Sequence, residues 1–320
     1  MFTNKPKMMS ALIANEKRTE KGANAFSVRQ MLVALELGYA DEAVLRFLDY
    51  FSKAIPVHQI NMVHVAPRFD LFQSLYEPDS QRMITNLEFN REVIQEMQNR
   101  IRLHPLHNQT LVSFDIREGD PLEALLEESQ AHPADLTVIG QRTDSSDHGI
   151  LAANLVRKSK GDVLIIPEGS EPRIDHIIVP VDFSPYSVKA LERAFALREA
   201  ISSPVRITCV NVYELPNLNI YLVEKIEDVR RIIQQDRKAA FRAFLTRYAP
   251  EGMADFVDAE MIERQFASVA SYLYDFAIRE SGALIVMGAK GQSRVERMLL
   301  GSVTENLLKL DDSIPVLVVR

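Results

Sequence analysis

Cysteine is almost absent from this chain: Cys209 stands alone among 320 residues. A single thiol forms no internal disulfide and builds no cysteine-rich metal site. Its place in the apolar run 207–212 reads as strand interior rather than as a reactive thiol. Positive charge is also in deficit, with 37 lysines and arginines against 44 acidic residues and a net charge of −7. That balance argues against a general nucleic-acid binder, which needs clustered positive charge for the phosphate backbone. No run approaches the roughly 18 apolar residues of a membrane span. Residues 1–25 hold no continuous apolar core of the signal-peptide kind. A cytoplasmic protein with no membrane partner is the expectation.

What is present suits globular folding. Hydrophobic residues make up 47% and charged residues 25% of the chain, and the length suits about two domains. Residues 1–25 are polar and locally basic, with Lys5, Lys7, Lys17, Arg18 and Lys21 against Glu16 and Glu20. They are expected to form an arm outside the cores. Beyond them apolar runs alternate with helical patterns. Strands are predicted at 30–35, 60–65, 110–116, 136–139 and 163–166, with helices at 41–54, 79–103, 121–130 and 151–158. Such alternation predicts a mostly parallel sheet covered on both faces.

The order then repeats after about 150 residues, too long for a solenoid unit. Strands are predicted at 176–181, 205–212, 254–260, 284–287 and 316–319, with helices at 187–200, 226–248, 268–280 and 303–310. Asn154-Leu155-Val156-Arg157 parallels Asn306-Leu307-Leu308-Lys309. The expected fold class is therefore α/β, with two tandem, open, doubly wound Rossmann-like domains. The expected boundaries are 26–168 and 174–320, joined by the Pro/Gly/Glu-rich linker 169–173.

The informative stretch is Met287-Gly288-Ala289-Lys290-Gly291, followed after nine residues by Gly301-Ser302. Gly288 follows an apolar strand, where open α/β sheets bind ligands. Gly301-Ser302 stands at the start of the last helix, where free N–H groups and the helix dipole favour phosphate. Other phosphate loops do not fit: there is no Gly-x-x-x-x-Gly-Lys-Ser/Thr, and no Gly-x-Gly-x-x-Gly after the first strand of either half.

The run Gly288-x-x-Gly291-x9-Gly301-Ser302-Val303-Thr304-Glu305-Asn306, ending in Pro315-Val316-Leu317-Val318-Val319, resembles the ATP-binding signature of universal stress proteins. Ile177-Ile178-Val179-Pro180-Val181-Asp182-Phe183-Ser184 is similar to that family's opening strand. The resemblance spans about residues 26–320, and its specific motifs lie in the second half. It implies ATP as the ligand, with Asp182 near ribose and adenine, and with Val181 and Val212 bordering adenine. Met287 and Gly288 would line the same pocket, Gly291 would lie by ribose and phosphates, and Gly301, Ser302 and Val303 would take the phosphate tail. Arg294 is a further phosphate candidate. Magnesium or manganese would be held through the phosphates, so no protein metal cluster is expected. The bland readings are that Asp182 and Ser302 cap helices and that Val212 is a core valine.

The first half has lost this signature. Eight residues separate Gly140 from Gly149, against twelve between Gly288 and Gly301. Ile150 stands at the place of Ser302 and Glu36 at that of Asp182, so no ATP is expected there, while a different, apolar ligand stays open. His148, with Asp144 and Asp147 nearby, reads as a polar surface loop. His104 and His107, with no acidic partner at metal-ligand spacing, read as surface residues. Gly119-Asp120-Pro121 resembles the family's loop after the third strand, from which Arg264-Gln265-Phe266 departs.

The leading expectation is an ATP-binding stress-response regulator with an unidentified protein partner. No general base and nucleophile are evident, so any hydrolysis is expected to be slow. Two alternatives stand beside it: a scaffold that holds no nucleotide, and a nucleotidyl transferase or ATP pyrophosphatase, whose usual motifs are missing. In the family that this chain resembles the last strand commonly pairs with its counterpart across a dimer, so the resemblance implies that 163–166 and 316–319 pair within the chain as an internal pseudo-dimer, which would cover an apolar edge. Pairing of two chains remains open.

Overall fold

Because both faces of the sheet are covered, its inner strands are near-continuous apolar runs, while the two edge strands, Leu111–Glu118 and Val257–Glu263, are mixed and partly exposed. In the computed structural model, which describes residues 26–67, 79–107, 109–143, 149–215, 226–291 and 300–320, ten strands form. They are β1 Val28–Leu35, β2 Val57–Ala66, β3 Leu111–Glu118, β4 Leu136–Gln141, β5 Asp162–Pro167, β6 His176–Pro180, β7 Arg206–Tyr213, β8 Val257–Glu263, β9 Ala283–Gly288 and β10 Val316–Val319. Among the described residues the helices are α1 Ala40–Ala54, α2 Asp79–Leu103, α3 Pro121–Ala131, α4 Ile150–Lys158, α5 Pro185–Ala200, α6 Ile226–Tyr248, α7 Val269–Ala277 and α8 Ser302–Leu310.

The strands make one sheet in the order β3-β2-β1-β4-β5-β10-β9-β6-β7-β8. Every neighbouring pair is parallel except β5 and β10, which run antiparallel with Leu317 opposite Leu164. Two half-sheets of identical winding are thus joined through their last strands, the internal pairing anticipated above. Alternate side chains enter two cores, one on each face. Phe47, Met97, Leu191 and Phe241 pack in one core, under α1, α2, α5 and α6. Leu125, Leu155, Leu273 and Leu307 pack in the other, under α3, α4, α7 and α8.

Local chemistry explains the helix starts. Ser184, Asp120 and Ser268 accept N–H bonds from Ser187, Glu123 and Ser271 at 3.3, 2.9 and 3.1 Å, with Pro185 and Pro121 at the first turn. Three expectations need correction. Residues 254–256 form a 3-10 turn, with Phe256 N–H bonded to Met253 O at 3.1 Å, and the strand runs later, over Val257–Glu263. Helix α7 ends at Ala277 because Glu280 N–H turns back to Ala277 O and Gly282 follows at φ 62°. β6 ends at Pro180, before Val181.

Candidate functional site

The second half-sheet reverses its strand order between β6 and β9: α5, after β6, covers one face, and α8, after β9, covers the other. Ligand crevices in open α/β sheets form at such a point, beyond the carboxyl ends of the strands. Gly288 closes β9 there. A Cβ on Gly288 would lie 2.6 Å from Tyr186 Cβ, so glycine is what lets the strand end approach α5. Thr304, inside α8, donates its hydroxyl to Gly288 O at 3.1 Å and ties strand to helix.

Both ends of the glycine signature meet. Gly301 N–H donates to Ala289 O at 2.9 Å, which joins the start of α8 to the end of β9. Gly301 is the N-cap of α8, with φ −64° and ψ 138°. Ser302 is the first helical residue, so it is not the cap, and it is exposed. Glu305 N–H bonds Gly301 O, and helix geometry leaves the N–H groups of Ser302, Val303 and Thr304 without an intrahelical acceptor. A Cβ on Gly291 would lie 2.6 Å from Asp182 Oδ2, so the loop and the acid are in contact.

Asp182 is held from within its own turn. Its Oδ1 accepts Ser184 N–H at 3.0 Å and the Ser187 hydroxyl at 2.6 Å, while its N–H donates to Ser187 Oγ at 3.0 Å. Phe183 follows at φ 63°, a strained conformation for a non-glycine residue, and its ring packs edge-on to Phe241 and Phe244 of α6. The capping role considered for Asp182 belongs to Ser184; Asp182 braces the turn before the helix.

Val212 and Met287 face the core layer of α7 and α8, with Val303 packed against it. Val181 does not join them. Its side chain enters the opposite layer, its N–H donates to Val210 O at 2.8 Å, and its carbonyl accepts Asn211 Nδ2 at 2.6 Å. Period-2 alternation with Ile177 and Val179 was the available sequence signal. Tyr186, Ser187 and Thr304 were not singled out from sequence; the Ser-Pro-x-Ser cap at 184–187 was the signal for Ser187. Arg294, and likewise Asp144, Asp147 and His148, lie outside the described residues.

The matching place in the first half is built differently. Leu37, at φ 61°, repeats the strained turn of Phe183. The acid that braces it is Asp41, at the place of Ser187, accepting from Glu36 and Leu37 N–H at 3.0 and 2.8 Å. Arg100 of α2 fills in above, donating to Gly38 O at 2.9 Å and Leu37 O at 2.8 Å. Burial raises the Asp41 pKa despite these donors. Glu36 turns out toward Arg142, 3.9 Å away. Gln141 crosses the seam to Leu308 O and Asp311 O at 2.9 and 2.8 Å. Gly149, the N-cap of α4 at φ 72°, packs on α8, where a Cβ would come 2.4 Å from Leu308 O. His104 has an acidic partner after all, Glu42 of α1 at 3.1 Å, brought in by the fold rather than by local spacing.

A groove of about 1340 Å³ runs along α5, lined by Lys189, Arg193, Arg198, Tyr248 and Met253. It includes none of the candidate residues. Cys209 is buried on β7, and burial pushes its thiol up to about 12, which leaves it inert. Among the described residues no helix is long and apolar enough to cross a membrane.

Residues 173–320 match the family model described as the Universal stress protein family. A universal stress protein of Methanocaldococcus jannaschii is 28% identical over 144 residues, covering 45% of this chain and 81% of that protein. Among solved structures, a universal stress protein from Archaeoglobus fulgidus superposes with a TM-score of 0.60 at 20% identity, covering 92% of this chain and 99% of that one. A functionally unknown protein from Pseudomonas aeruginosa gives 0.59 at 14%, covering 91% and 92%. These two similarities extend the shared fold over both halves, and on the sequence matches the second half of this chain carries a Universal stress protein family domain.

Proposed function

We propose that this stress-family protein binds one adenine nucleotide, ATP, in its second half and works as a regulator rather than as an efficient enzyme. The observation that carries the reading is the closure of Gly301 N–H on Ala289 O. It places the start of α8 beside the end of β9, with Gly291 against Asp182. The cradle suits a phosphorylated ligand: a side chain at Gly291 would fill it, and the first turn of α8 offers backbone donors. Gly288, Val212 and Met287 would border the adenine, Asp182 the ribose, and Gly291, Gly301, Ser302 and Val303 the phosphates. Arg294 belongs to the proposal, whereas Val181 supports the turn. Magnesium or manganese would be carried by the phosphates.

We assign the units as 26–168 and 174–320, with 169–173 as linker and 1–25 as an arm, and we take the cytoplasm as the compartment. A second reading, an interaction scaffold without nucleotide, is favoured by Gln141 and Gly149, both of which make contacts across the seam in the first half. Denaturing fresh protein and chromatographing the released small molecules separates the two. The proposal expects one adenine nucleotide per chain, lost in Gly301→Ala with the fold retained. Two per chain would assign a working site to the first half. None, with no thermal shift on added ATP, would leave the scaffold.

A further inference from the structure

The two halves exchange side chains beside the proposed phosphate position. Helices α4 and α8 lie against each other across the seam with opposed directions. Gly149, at the start of α4, touches Leu308 near the end of α8, and Arg157, in the last turn of α4, reaches Glu305 in the first turn of α8. Arg157 Nη2 lies 3.3 Å from Glu305 Oε2, and Nη1 donates to Asn154 Oδ1 at 2.6 Å. The Arg320 guanidinium donates to Arg157 O at 3.2 Å and holds the end of α4 in place.

Glu305 suits the helix start only while no phosphate is there. A carboxylate in the first turn offsets the positive end of the dipole, and it would repel a phosphate tail at the same turn. Its charge is already shared, because Lys309 Nζ donates to the other oxygen at 2.8 Å. Arg157 is 31% exposed, so its guanidinium is not locked in the core. Ser302 precedes Glu305 by three residues, about 4.5 Å of helical rise, a distance that a rotamer change in arginine covers. The planar fork of a guanidinium matches phosphate oxygens as well as it matches a carboxylate.

We propose that Arg157, supplied by the first half, is a ligand to the terminal phosphates of the nucleotide in the second half, leaving Glu305 for phosphate oxygens when the site fills. The inference rests on the nucleotide reading above. It gives the first half, which has lost the signature, a part in the site of the second, and it makes the seam sensitive to phosphate number.

The test is to titrate the full chain with ATP, ADP, AMP and adenosine in wild type, Arg157→Gln, Arg157→Lys and Glu305→Gln, with urea midpoints for each. Wild type should bind ATP more tightly than adenosine. Arg157→Gln should lose about tenfold in ATP affinity and nothing for adenosine, while Arg157→Lys retains part of the difference. Glu305→Gln should tighten ATP. Both Arg157→Gln and Glu305→Gln break the same ion pair, so a purely structural role moves them in one direction; opposite effects on ATP exclude it, and a partial loss in Arg157→Lys, which keeps the charge, marks a bidentate phosphate ligand rather than a through-space field. If Arg157→Gln leaves ATP unchanged or weakens ATP and adenosine alike, the assignment of Arg157 falls and the nucleotide site stands. If wild type binds none of the four ligands, the nucleotide reading itself falls.

Discussion

The Ser187 hydroxyl donates to Asp182 Oδ1 at 2.6 Å, and the same oxygen atom of Ser187 accepts the Asp182 N–H at 3.0 Å. The acid at the mouth of the crevice is therefore set by a residue five positions on, inside α5. In the first half the corresponding residue is Asp41, which braces the turn with its own carboxylate and leaves Glu36 to point outward. Two exchanges, Asp182 for Glu36 and Ser187 for Asp41, decide which residue faces the crevice and which supports the turn.

Removing that brace should show in binding before it shows in folding. Ser187→Ala takes away one hydroxyl donor and leaves the half-buried Asp182 N–H without this acceptor, a cost of about 1 kcal/mol in stability. The loosened carboxylate should weaken nucleotide binding severalfold. Paired urea and nucleotide titrations check this, and an unchanged affinity would place Asp182 outside the ligand contacts.

The three signature glycines should separate by variant. A Cβ at Gly288 meets Tyr186 Cβ at 2.6 Å, so Gly288→Ala is expected to cost about 1–3 kcal/mol through overpacking. At Gly301 the nearest atoms are 3.4 Å or more away and the backbone is ordinary. Gly301→Ala should therefore cost only about 0.5–1 kcal/mol, as a poorer N-cap, while obstructing the approach of phosphate. Gly291→Ala falls between, since it presses on a carboxylate oxygen at 2.6 Å. Thermal melts with and without ATP rank the three; equal losses of stability would contradict the packing assigned to Gly288.

Much of this architecture was legible in sequence. Apolar runs and caps placed the strands and the two long helices, and the 79–103 and 226–248 patterns fall on α2 and α6. The repeat gave the parallel windings, and the family resemblance implied the β5–β10 pairing. What escaped depends on contacts between distant segments. Arg100 reaches Leu37 and Gly38 over some sixty positions, and Gln141 crosses to Leu308 and Asp311; neither leaves a local pattern. Val181 was different, because its parity with Ile177 and Val179 already turned it from Val212 and Met287. The 3-10 turn at 254–256 was read as strand because its apolar residues fit both, and the turn is decided by the Phe256–Met253 hydrogen bond.

The seam should be sensitive to a single methyl group. Gly149 adopts φ 72°, and a Cβ there would stand 2.4 Å from Leu308 O. Gly149→Ala adds backbone strain to a clash with backbone that has little room to shift, for a loss of at least about 2 kcal/mol. Since α4 and α8 pack at this point, the loss should appear as lower cooperativity between the halves in denaturant unfolding. A variant as stable as wild type would show that the α4–α8 contact contributes little.

A buried histidine at the base of β6 should impose a pH dependence of its own. His176 is 1% exposed, with Nε2 2.7 Å from Thr208 Oγ1 and Nδ1 3.1 Å from Glu280 Oε2. Arg206 of β7 lies 3.4 Å from Nδ1 and pairs with Glu280, while Asp258 of β8 adds a weaker opposing field. Burial first, and Arg206 second, hold the ring below its ordinary value of 6.5. The folded protein thus keeps His176 neutral where the unfolded chain takes a proton. Its contribution is fully present above 6.5 and is lost as the pH falls from there through the depressed folded value. Asp41 and Asp162, raised by burial, act with the opposite sign, since the folded state retains their protons longer as the pH rises. The comparison that isolates His176 is therefore the wild type against His176→Gln at each pH. The gap between their urea midpoints should narrow from pH 7.5 to pH 5.5. A gap that stays constant would mean that Glu280 lets the ring protonate in place, and that its hydrogen bond outweighs burial and Arg206.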